Sequence, residues 1–265
     1  MLLALCVIIV SMQVQPCKTP LVISGDDLYE ILHAALVAEK LPERSIVAVT
    51  SKIVSLCENR VVPNNDIRAE KEALVREEAE WYTDPHSSAF NLMLTIKHQI
   101  LAVNAGIDES NADKQYVLFP ADPYQSAQDI WQWLRATFGV QEIGVIITDS
   151  RSFPLKWGQI GTSLAYCGFA ALNNKIGEQD LFGRVLHMTQ VNVAEALAVS
   201  AVLEMGEAAE SQPVAIITDV SMVQFQDRPP TAEELLALQI KIDDDAYAPI
   251  LKKADWKLGG GGRHG

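Results

Sequence analysis

Apolar residues along this chain gather in two ways: as short continuous runs rich in β-branched side chains, and as stripes recurring every three or four positions. Ser45-Ile-Val-Ala-Val-Thr50, Ile100-Leu-Ala-Val103, Ile143 to Ile147 and Pro213 to Ile217 are continuous runs and predict buried strands. Met12-Gln-Val-Gln-Pro16 predicts a first strand. Stripes predict helices. Leu28, Ile31, Leu32, Ala35 and Leu36 follow Ser24-Gly25-Asp26-Asp27, the signature of a capped amphipathic helix. A second helix is expected over about 66–82, opened by Asp66 and stopped by Asp84-Pro85. In the clearest helix Asp122 is the N-cap, Pro123 the first helical residue and Gly139 the stop. Its stripe is Ala127, Ile130, Trp131, Leu134 and Phe138. Val191 to Met205 predicts a long Ala/Val-rich helix ended by Gly206, and Thr231-Ala-Glu-Glu234 is a capping box. The alternation predicts an α/β or mixed α+β fold, with part of the sheet covered on both faces.

Composition narrows the function. The 265 residues carry 21 Lys+Arg and 34 Asp+Glu, a formal charge of 21 − 34 = −13, with 49% apolar and 21% charged residues. That is a soluble globular composition with chain enough for one large domain or two smaller ones. The acidic balance opposes binding to nucleic-acid backbones. Cys6, Cys17, Cys57 and Cys167 are widely spaced, as expected of free thiols in a reducing, cytoplasmic setting, and no histidine pair has zinc-hydrolase spacing. The apolar run Leu2 to Val10 lacks the basic flank and cleavage site of a signal peptide, and is too short to span a bilayer. Residues 1–11 read as an upstream mis-start or an extra strand, 12–258 as the folded domain and 259–265 as a flexible tail.

The predicted strands place polar residues just past their C-terminal ends, where ligands gather in open α/β sheets. Ser51-Lys52 follow one, Asn104 to Asn111 another, and Thr148-Asp149-Ser150-Arg151 a third. Taken singly, Asp108 reads better as an Asx-turn cap and Lys52 as a solvated cation. Taken together they suit a divalent metal and phosphate: Asp108 and Asp149 as carboxylates, Ser150 as a hydroxyl, Lys52 as a mobile charge. Glu207, at the negative end of the long helix, is a further place to look for a cation. The run Glu77-Glu78-Ala79-Glu80 reads as a solvated helix face. There is no P-loop and no strand-linked G-x-G-x-x-G, and Gly161-Thr-Ser163-Leu-Ala165 reads as a packing motif rather than a nucleophile elbow.

Five segments in order carry a family resemblance: Thr50-Ser-Lys-Ile-Val-Ser55, Asn104-Ala-Gly-Ile-Asp-Glu-Ser-Asn111, Val145-Ile-Ile-Thr-Asp-Ser150, Asp180-Leu-Phe-Gly-Arg184 and Met205-Gly-Glu207. Over roughly residues 12–220 the chain resembles the coenzyme F420-0:L-glutamate ligases, which look like intertwined homodimers of mixed α/β architecture. The resemblance implies use of GTP and of Mg²⁺ or Mn²⁺, in a two-metal site, to join L-glutamate to a carboxylate acceptor. It places Thr19, Pro20, Leu21, Ser51, Lys52 and Asn111 against nucleotide, Asp108 and Asp149 at one metal, and Ser150 and Glu207 at a second. Lys52 and Asp149 are the expected catalytic pair. The family's usual glycine before Thr19-Pro20-Leu21 is absent here. Arg151-Ser-Phe-Pro-Leu-Lys156 departs from the Phe-Gly-Arg-Pro-Trp-Arg usual after the Asp-Ser pair. With Asn192-Val-Ala-Glu-Ala-Leu197 and Asp244-Asp-Ala-Tyr-Ala-Pro249, it resembles a bacterial branch linked to folate glutamylation. The expected chemistry is phosphoryl transfer to the acceptor, then attack by the glutamate amine on the acyl phosphate. A nucleotide-binding regulator and a metal-dependent phosphohydrolase are the alternatives.

Overall fold

The structure is a computed structural model that describes residues 11–261, so the expectations for 1–10 and 262–265 lie outside the described residues. The first half of the chain runs β1 (Gln13–Cys17), α1 (Leu28–Leu36), β2 (Ser45–Thr50), α2 (Ser51–Cys57), β3 (Val61–Pro63) and α3 (Arg68–Glu78). Then come β4 (Trp81–Tyr82), β5 (Leu94–Lys97), β6 (Ile100–Val103), β7 (Gln115–Val117) and α4 (Pro123–Phe138). The second half holds β8 (Ile143–Ser152), β9 (Gln159–Cys167), β10 (Leu172–Asn174), β11 (Gln190–Asn192) and α5 (Val193–Met205). It closes with β12 (Val214–Thr218), α6 (Ala232–Leu238), α7 (Ala248–Leu251) and β13 (Lys257–Leu258).

The fold is mixed α/β. Its main sheet has the order β1-β12-β2-β8-β9, and β2 and β8 are its parallel neighbours, with Ser45 opposite Ile143 and Thr50 opposite Thr148. Both central strands are apolar on both faces because both faces are covered. Val47, Val49, Val145 and Ile147 pack against Leu32 and Leu36 of α1, Ile53 and Val54 of α2, and Ile130 and Leu134 of α4. Their neighbours Ile46, Ala48 and Ile146 face the other way, onto Leu197, Ala198 and Ala201 of α5. The two sets alternate with the period of a strand. Helix α4 starts and stops as its sequence predicts: Asp122 accepts hydrogen bonds from the Tyr124 and Gln125 amides, and Gly139 closes it at φ 71°.

A smaller sheet, β13-β4-β5-β6, and a β3–β7 ribbon surround a second core of Val75, Ala79, Met93, Ala105, Ile107, Tyr116 and Leu118. Tertiary pairing here overrides the sequence pattern. The helix expected over 66–82 ends at Glu78, because Ala79 turns extended and Trp81–Tyr82 pair with β5. It also starts after Asp66, which sits at φ 57°. The acidic run is a solvated face only in part: Glu77 is exposed, but Glu78 is fully buried and ion-paired with Arg60 at 3.1 Å and with Lys97. Glu80 accepts the His98 amide. At the start of the segment read as a flexible tail, Gly259, Gly260 and Gly261 instead donate to the carbonyls of Glu80, Arg76 and Ala79. A Cβ at Gly259 would lie 2.1 Å from the Ala79 carbonyl oxygen, so only glycine fits.

Candidate active site

Parallel neighbours deliver their C-terminal ends to the same edge of a sheet. Here β2 and β8 open side by side into a cavity of about 670 Å³, which is also lined by the 104–111 segment of the smaller unit and by 205–213. After Thr50 the chain enters α2 at once, so Ser51 and Lys52 lie in its first turn, not in a loop. The apolar run of β8 stops at Ile147, but the strand does not. It continues to Ser152, with Asp149 opposite Thr162 of β9 and Ser150 opposite Gly161. The expectation that Asp149 and Ser150 lie beyond the strand end is therefore corrected. Past a register shift between Ile147 and Thr148, continued pairing with β9 holds them within the strand.

Lys52 Nζ lies 2.7 Å from Asp108 Oδ2 and donates to Ser110 Oγ and Ser110 O at 2.9 and 3.1 Å. Asp108 Oδ1 accepts the Ser110 amide at 2.8 Å. Asp108 is thus both the Asx-turn cap and a site carboxylate, one oxygen for each. Burial alone would raise its pKa, but the hydrogen bond and charge of Lys52, with the Ser110 amide, hold it below the usual carboxylate range. The turn before it is tight. Gly106 sits at φ +71° with a notional Cβ 2.0 Å from the Phe119 ring, while Asn104 and Ala105 also take positive φ.

Asp149 has the opposite balance. Ser51 Oγ donates to Oδ1 at 3.1 Å. Burial pushes its carboxyl up to about 7, and the Asp108 charge adds to this against the Ser150 amide, Ser51 and Lys52. Ser150 Oγ donates to Glu207 Oε1 at 2.7 Å, bringing the end of α5 to β8. Asn111, at φ 51°, donates to the Ala208 carbonyl at 2.9 Å. Thr19, Pro20 and Leu21 line the cavity, anchored by the Thr19 amide on the Ser211 carbonyl at 3.0 Å. Every residue named from the sequence as a candidate ligand or catalytic residue therefore lines one cavity. Sequence reasoning missed Glu210 and Gln159 as lining residues, and placed Ser110 and Arg151 past strand ends without giving either a role. The two-residue period from Asp149 to Arg151 was the available signal for the last.

The candidate metal-binding donors are carboxylate and hydroxyl oxygens, and the cavity's lining residues include no thiol or imidazole. Among the described residues no three acidic, histidine or cysteine side chains converge into a closed cage. An open set of hard oxygens is the form in which Mg²⁺ or Mn²⁺ is held when water and phosphate complete the shell.

The pattern of F420-0:gamma-glutamyl ligases matches residues 16–219, which is most of the chain. This chain belongs to that family. Among its relatives are the coenzyme F420:L-glutamate ligase of Methanothermobacter thermautotrophicus, 33% identical over 217 residues, covering 75% of this chain and 84% of the relative. That of Methanococcus maripaludis is 31% identical over 252 residues, covering 90% and 98%. That of Methanosarcina mazei is 34% identical over 217 residues, covering 76% and 82%. As a gamma-glutamyl ligase the chain is an enzyme that forms C–N bonds. Among the described residues no helix is long and apolar enough to cross a membrane.

Proposed function

We propose that this ligase consumes GTP to join L-glutamate to a carboxylate acceptor of the folate or F420-0 type, through an acyl phosphate. The observation that carries the reading is the arrival of Lys52, Asp108, Asp149, Ser150 and Glu207 at one cavity from four separate segments. An acceptor carboxylate oxygen attacks the terminal phosphorus, and the bond to the bridging oxygen breaks to release GDP. The glutamate amine then attacks the acyl carbon, and inorganic phosphate leaves with the electron pair of the C–O bond. Lys52 neutralises charge on the transferring phosphoryl oxygens. Ser51, Asn111 and the Thr19-Pro20-Leu21 segment hold the nucleotide. Asp108 and Asp149 would hold one divalent cation, Mg²⁺ or Mn²⁺, and Ser150 and Glu207 a second, supplying positive charge to the phosphates.

A homodimer and a cytoplasmic location belong to the same proposal. The arm between β10 and β11 supports the dimer, since Leu181 and Phe182 stand 100% and 95% exposed there. Light scattering on the purified protein measures its mass directly. The reaction is tested by incubating the protein with GTP, Mn²⁺, L-glutamate and either dihydrofolate or F420-0, and weighing products by mass spectrometry. Added glutamyl units together with GDP are expected. Phosphate release that ignores glutamate would mark a phosphohydrolase, and GTP binding without release a regulator.

A further inference from the structure

The cavity wall carries two cationic side chains, Lys52 and Arg151, against Asp108, Asp149, Glu207 and Glu210. Lys52 is committed to Asp108 and Ser110. Arg151 is not committed in the same way. It lies two residues beyond Asp149 on the same face of β8, opposite Ile160 of β9. Its Nη2 makes only a long ion pair with Glu195 Oε2, at 3.7 Å and without a hydrogen bond, and both Glu195 oxygens already accept Thr162 Oγ1 at 3.0 Å. Its Nε is buried and donates to nothing among the described residues. A guanidinium held by one long ion pair and with an unpartnered Nε, set in a wall that also carries four carboxylates, retains capacity for a further anion.

We propose that Arg151 clamps a carboxylate of one of the two non-nucleotide substrates; this rests on the ligase reading above. The ligase reaction brings carboxylates that do not react: those of the incoming amino acid, and any on the acceptor beside the one activated. The wall holds three more acids than Lys52 can neutralise, so such a group needs a counter-charge of its own. A planar fork meets two carboxylate oxygens in a way a lysine ammonium does not. The position also fits the order along β8, with the phosphate-side carboxylate at Asp149 and the substrate-side cation one strand repeat further on.

The test is calorimetric titration of wild type, Arg151→Gln and Arg151→Lys with a non-hydrolysable GTP analogue and Mg²⁺. L-Glutamate, dihydrofolate and F420-0 are then titrated into the nucleotide-loaded protein. We expect Arg151→Gln to weaken one class of carboxylate ligand by about thirtyfold. Arg151→Lys should weaken the same ligand, at an unchanged melting temperature, and the analogue should bind all three proteins within about twofold. A loss confined to L-glutamate assigns the clamp to the amino acid; one confined to dihydrofolate or F420-0 assigns it to the acceptor. Equal binding of every carboxylate ligand by wild type and Arg151→Gln overturns the clamp. So does a loss that falls on the analogue, or a nucleotide-loaded wild type that binds no carboxylate ligand. A wild type that binds no analogue overturns the ligase reading itself, and the clamp with it.

Discussion

Asp149 carries its carboxyl group at about 7 against an ordinary 3.8, and that difference has a sign. Between those values the folded protein keeps the proton that the unfolded chain has released. Stability contributed at this site therefore falls as pH rises from about 4 to about 7 and stays low above. Asp149→Asn removes that penalty. In EDTA at pH 8 it should be more stable than wild type by about 2 kcal/mol, a value reduced for the side chain's partial exposure. Urea titrations at pH 4 and pH 8 check this, with the gain absent at the lower pH. Saturating Mn²⁺ should reverse the ranking, and turnover should be lost in the variant. Glu78 is the converse case. Glu78→Gln leaves a buried Lys97 and a half-buried Arg60 without their counter-charge, and should cost about 3–5 kcal/mol by urea denaturation. The sequence around Glu78 has the composition of a wet helix face. Its burial depends on Lys97, a residue of β5, and no local pattern reveals that partner.

Elements were more legible than their ends. The caps of α4 and the capping box of α6 are local hydrogen bonds within four residues, so the sequence states them outright. The ends of α3 and β8 depend on strands elsewhere in the chain: β5 takes the residues after Glu78, and β9 prolongs β8 past its apolar run. Gly161-Thr-Ser163 is a packing motif, as its sequence suggests, and the reason is the approach of α5. A Cβ on Gly161 would meet the Ala198 carbonyl oxygen at 2.5 Å and Val202 Cβ at 2.8 Å. Gly161→Ala should destabilise by about 1–3 kcal/mol. Because α5 ends beside Glu207, the variant should also weaken Mn²⁺ binding severalfold, which a titration of the two proteins side by side would read. Unchanged affinity would mean that Glu207 is held by Ser150 rather than by the seating of α5.

At the scale of the whole molecule, the cavity is walled by the main sheet on one side and the 104–111 segment of the smaller unit on the other. A ligand between them stabilises both. With the GTP analogue at about one hundred times its dissociation constant, stability should rise by about 2.7 kcal/mol. Hydrogen exchange should slow together in 104–111 and 205–213, and protection of one segment alone would place the nucleotide elsewhere. The convergence of these segments was foreshadowed by motif order, but their separation in sequence hides which side chains touch. The Lys52–Asp108 pair spans 56 positions, and nothing in the intervening residues announces it.

The pairing of β2 with β8 also sets how this protein tolerates change. Alternate residues of β8 belong to opposite faces of the main sheet, so inserting a single residue ahead of Ile147 would turn Asp149 toward α5 and bring its neighbour round to the cavity side. Codon-length insertions and deletions there should abolish activity whatever residue they carry. The 153–158 hairpin can lengthen or shorten without altering that phase, and variation among descendants of this sequence should collect in it.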